Sequence, residues 1–100
     1  MSLDEGARAG VEYTVDMIIK EPKEFENQFS DVLRQQGIEP NLETVLSFFT
    51  GMMYGFVVSY YSAKFNRSSL TQEERSGLIE LLKRRAFEIR QAVVSTRIES

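Results

Sequence analysis

Apolar residues recur three or four apart along most of this chain, the spacing of helices that bury one side. Over 4–20, Ala7, Val11, Val15 and Ile18 form one stripe, with Ile19 beside it. Asp4 and Glu5 suit the positive end of such a helix. Gly6 and Gly10 each weaken its first turns by up to about 1 kcal/mol relative to alanine, so fraying is expected there. Glu21-Pro22 interrupts the pattern, because proline is accepted in a first turn and not in a helix interior. A second helix follows over 22–36, with Phe25, Phe29, Val32, Leu33 and Gln36 on its inner side. Gly37 is the candidate left-handed residue that ends it.

The third element is different. After Asn41, a candidate cap, a helix over 42–65 is apolar on every side. From Val45 to Ala63 there are nineteen residues without a charge. Within that stretch small residues recur every fourth position: Ser47, Gly51, Gly55, Ser59 and Ala63. Residues four apart stack on one helix face, so the pattern predicts a shallow groove down one side. Leu46, Phe49, Met53, Phe56 and Tyr60 form a seam, and Tyr54, Val58, Tyr61 and Phe65 cover another side. Two interior glycines cost about 1 kcal/mol each, which is reasonable where another backbone must come close. That neighbour is either the last helix of the same chain or the third helix of a second copy. Thr71 and Glu74 have the spacing of a capping box. They open a fourth helix over 72–95, with Leu78, Leu82, Ile89 and Val93 inward and Ile79, Ala86, Val94, Leu81 and Phe87 widening the stripe. The last five residues are expected to fray, and residues 1–3 carry no weight in the fold.

The prediction is an all-α single domain over 1–100, a bundle of about four helices with the third central and buried. The apolar helix is long enough to span a bilayer, and Gly51 to Gly55 matches the GxxxG spacing of membrane helix pairs. Against a span stand Ser47, Thr50, Ser59, Ser62 and the mid-window Tyr54. The three amphipathic helices also need an apolar surface to cover. Membrane residence is the less favoured reading.

Composition removes most catalytic chemistry. With no cysteine and no histidine there are no thiolate nucleophiles, Cys/His zinc sites, Ser-His triads or histidine bases. No phosphate loop or nucleophile elbow is present. The expectation is a non-enzyme without cofactor or metal. Missing cysteine fits the cytoplasm, and the acidic start lacks the apolar run of a signal peptide.

The net charge of −3 hides an asymmetry. Residues 1–44 hold ten acids and four bases, whereas residues 66–100 hold seven bases and five acids. Arg75, Lys83, Arg90 and Arg97 share roughly one face of the fourth helix, with Arg84 and Arg85 alongside. Such a stripe is a candidate nucleic-acid contact. Glu80 and Glu88 interrupt it, so a solvated or internally paired face is favoured. Glu21, Glu24, Glu26 and Asp31 lack the spacing of a calcium loop. Tyr54, Tyr60 and Tyr61 with Met52 and Met53 read as core or interface before ligand pocket. The leading functional expectation is a small helical interaction module that self-associates, a homodimer being favoured, through Ser47, Gly51, Gly55, Ser59 and Ala63. Nucleic-acid binding by the fourth helix and membrane association are the alternatives.

Overall fold

A computed structural model describes residues 3–99. Four helices follow in order: α1 Glu5–Lys20, α2 Pro22–Gln35, α3 Leu42–Phe65 and α4 Gln72–Glu99. Each touches the other three. The all-α bundle is as the hydrophobic pattern predicts.

Local chemistry sets most of the ends. Asp4 caps α1, its carboxylate accepting from the Gly6 amide. Pro22 opens α2. Gly37 closes that helix at φ 77°. There Ile38 N–H donates to Leu33 O and Gly37 N–H to Arg34 O, the paired bonds of a Schellman ending. Asn41 and Thr44 form a reciprocal capping box on α3, and Asn66 ends that helix at φ 56°. Thr71 and Glu74 cap α4 as their spacing predicts.

The core takes one stripe from each helix. Ala7, Val11, Val15 and Ile18 of α1 are buried, as expected. From α2 come Phe29 and Leu33, while Val32 and Gln36 point outward. From α4 come Leu78, Leu81, Ile89 and Val93, while Ile79 and Phe87 remain exposed. The stripe of α3 is Val45, Phe49, Met53, Val57 and Tyr61.

Four expectations change. First, α3 is covered along one side only, and Phe56 of the anticipated seam is exposed. Two shorter helices of 16 and 14 residues and one of 28 do not surround this rod of 24 residues; they take one face of it. Second, α1 is helical from Glu5 through both of its glycines. A Cβ on Gly6 would collide with the Tyr60 hydroxyl and lie 2.8 Å from its Cζ. One on Gly10 would lie 2.7 Å from Phe56 Cε2. The close helix approach, expected at Gly51 and Gly55, is therefore made by Gly6 and Gly10, which admit the aromatic edge of α3. Third, Leu3 is buried in the core, and the backbone beside it is tied down by a 2.7 Å bond from Asp4 N–H to the Tyr61 hydroxyl. Fourth, α4 stays helical through Glu99. Its last turns are held by buried Thr96 and by Arg97, which reaches Glu26.

Around the Gly6 notch, the Tyr60 hydroxyl donates to Asp4 Oδ2 at 2.6 Å, and Lys64 approaches the same oxygen at 3.3 Å. The Tyr60 bond is the main reason the Asp4 carboxyl titrates below its ordinary range. Just beyond this end of α3, Arg67 grips Glu74 through two bonds of 3.0 and 2.6 Å. That pairing, with help from the Thr71 amide and hydroxyl, lowers the Glu74 carboxyl to about 2.

Two outcomes follow. Gly6→Ala should cost about 1–2 kcal/mol in urea unfolding, because lost space and the broken Tyr60 bond outweigh the gain in helix propensity. In a Tyr60→Phe background, with no hydroxyl to displace, the same change should cost less. If Gly6→Ala were stabilising, the notch would not be packed as described. The second concerns pH. A lowered carboxyl stabilises the fold fully above its unfolded value and loses that contribution as pH falls through its folded value. The Tm difference between wild type and Glu74→Gln should therefore be full near neutrality, shrink below about 4.5 and vanish near 2. A difference that is constant with pH would remove the Arg67–Glu74 pair as its cause.

Candidate interaction surface

Two residues along an α-helix turn it by about 200°. The small residues Ser47, Gly51, Gly55, Ser59 and Ala63 each lie two places after a member of the buried stripe Val45, Phe49, Met53, Val57 and Tyr61. They therefore occupy the face directly away from the core, and all five are exposed. Nothing lies within 4 Å of where a Cβ on Gly51 or Gly55 would sit. The option of packing this row against α4 of the same chain is thereby corrected. The row is a valley open to the outside.

Apart from Thr50, its walls are aromatic and aliphatic. On one side stand Thr50, Tyr54 and Val58, with Tyr54 41% exposed. On the other are Phe48, Met52 and Phe56, the last 37% exposed. Beyond Thr50 the surface continues into a trough of about 200 Å³ between α3 and α4, lined by Leu46, Phe49, Leu82, Ala86 and Ile89. No charge from α3 enters the valley, since the stretch from Val45 to Ala63 carries none. By length and composition α3 qualifies as a membrane span, yet in this fold one side of it belongs to the core.

The basic residues of α4 have other occupations. Arg85 bonds Glu12 and Asp16 of α1 as well as Glu88 of its own helix. The bond to Asp16 is the largest of several that raise its already high pKa. Arg90 meets Glu43 at the start of α3 at 3.2 Å, and Arg97 meets Glu26 of α2 at 2.6 Å. Arg75 donates to the Leu70 carbonyl at 2.7 Å. Among the described residues, Lys83 and Arg84 form no ion pair. The candidate nucleic-acid stripe thus spends half its charge on the acidic helices beside it. Glu21, Glu24, Glu26 and Asp31 do not gather, and no group of three potential metal ligands forms among the described residues. Tyr60 and Tyr61 contribute to the α1 contact and the core, while Tyr54 lies on the valley wall.

No family model, curated protein or solved structure matches this chain. The surface itself is then the ground for a functional reading.

Two roles were not legible beforehand. Gly6 and Gly10 have the same four-residue spacing as Gly51 and Gly55, and that spacing was the available signal for a notch. The multiple pairing of Arg85 had no local signal, because its α1 partners are about seventy residues away.

The charge pairing can be checked by unfolding. Arg85→Ala should lose about 1–3 kcal/mol, the scale of hydrogen bonds to charged groups, whereas Arg84→Ala should stay within about 0.5 kcal/mol. Equal losses would mean that pairing is not what organises the stripe.

Proposed function

We propose that this chain is a small non-catalytic assembly module of the cytoplasm, and that a second copy docks on the outer face of α3. The observation that carries this reading is the uncovered valley: a charge-free helix face, walled by exposed Tyr54 and Phe56 and by half-buried Phe48, Met52 and Val58, with glycines at its middle. Exposed glycines in a helix are costly and gain nothing within one chain. Between two chains they let backbones approach closely, as small residues do at other helix crossings. A two-fold axis places the same patch on both sides, and a face without charge brings no like charges together. Gly51 and Gly55 flank the midpoint of α3, so a crossing there extends along the helix in both directions. The absence of histidine and cysteine supports a binding role over a catalytic one.

Gly51→Leu separates this reading from a monomer. Within one chain the new side chain meets nothing, so the helix content and stability of the isolated fold should hold or rise slightly. Sedimentation velocity should show wild type at twice the chain mass of 11.5 kDa and Gly51→Leu at the single-chain mass. Wild type remaining at the single-chain mass across micromolar to millimolar concentrations would end the proposal.

A further inference from the structure

A second concavity lies away from the α3 valley, where α2 meets the last turn of α4. It is a recess of about 240 Å³ lined by Lys23, Glu26, Asn27, Ser30 and Arg34 of α2, with Pro40, Thr96 and Arg97 opposite. The α2 residues follow helical spacing and form one continuous face. That face is polar throughout, although it fronts another helix. Ser30 and Thr96 are buried, and the Glu26 side chain is only 12% exposed. Burying such groups is unfavourable compared with an apolar seam of the same volume. Glu26 is held in place by Arg97 at 2.6 Å and by the Ser30 hydroxyl, which donates to it at 3.0 Å.

The charge arrangement narrows what the recess accepts. The acidic first half of the chain has four bases, and two of them, Lys23 and Arg34, line this one site. Neither forms an ion pair among the described residues. They are eleven residues apart on one helix face, three turns or about 16 Å along the axis. They therefore mark two ends and do not form a single clamp. Between them lie the Asn27 amide, the Ser30 and Thr96 hydroxyl oxygens and the Glu26 carboxylate with its Arg97 partner. The Arg97 guanidinium there is engaged by Glu26, and the remaining lone pairs of that carboxylate accept hydrogen bonds from hydroxyl groups. Cations at the ends attract phosphate, and a concave wall strengthens that attraction.

We propose that this recess binds a small phosphorylated sugar or polyol, with phosphate at the Lys23 and Arg34 ends and hydroxyls over Glu26, Asn27 and Ser30. The site is separate from the α3 face and does not depend on how copies assemble. The test is a titration of the full chain with fructose 1,6-bisphosphate, inorganic phosphate and free fructose, followed by backbone-amide NMR. The bisphosphate should give saturable shifts at millimolar concentration, confined to α2, the Pro40 turn and the end of α4. Lys23→Gln and Arg34→Gln should each weaken it about tenfold without moving the Tm of the unliganded protein. Inorganic phosphate should bind at least about tenfold more weakly, and free fructose should leave the spectrum unchanged. No saturable shift, shifts centred elsewhere, or affinity indifferent to both substitutions would overturn the site. Equal affinity for inorganic phosphate would overturn the polyol component.

Discussion

The arrangement of this bundle depends on a notch. Gly6 and Gly10 remove two side chains from α1 at the place where α3 presents Tyr60 and Phe56. With that space available, the two helices approach until the Tyr60 hydroxyl reaches the carboxylate that caps α1. One tyrosine then serves packing, capping and charge together, because Lys64 joins the same oxygen. Tyr61, next along the chain, binds the Asp4 amide and occupies the core. Since the contact is made by side chains of fixed length on both helices, it selects the rotation of α3. Once that rotation is set, Val45, Phe49, Met53, Val57 and Tyr61 turn inward and the glycines at 51 and 55 turn outward.

The charge asymmetry has a tertiary purpose. Three arginines of α4 each meet an acid on a different neighbour: Arg85 on α1, Arg90 on α3 and Arg97 on α2. Exposed pairs of this kind contribute little singly. Arg85 is the exception, with a largely covered side chain shared among three carboxylates. Its value is also positional, because a planar guanidinium accepts partners in few directions. Glu12, Asp16, Glu26 and Glu43 of the front half and Arg85, Arg90 and Arg97 of the back half are therefore two sides of the same contacts.

The α3 valley and the α2–α4 recess are departures from what folding a single chain requires. In the valley an exposed face avoids charge, and at the recess the carboxylate of Glu26 and the hydroxyls of Ser30 and Thr96 are largely covered. Both reverse the usual order of polar outside and apolar inside. Such reversals are where binding is to be sought, since each lowers the stability of the isolated chain without improving its packing.

The sequence by itself determined the local features: four helices, the breaks at Pro22 and Gly37, the Asn41 and Thr71 caps, and the buried stripe of α1. These signals act between residues three or four apart, so they need no knowledge of the rest of the chain. Only the tertiary structure decided which side of α3 is covered and which glycine pair is a contact. A helix apolar all round has no preferred inner face in its own pattern. The choice falls to partners more than fifty residues away, where Asp4 and Gly6 meet Tyr60, and no local periodicity encodes that meeting.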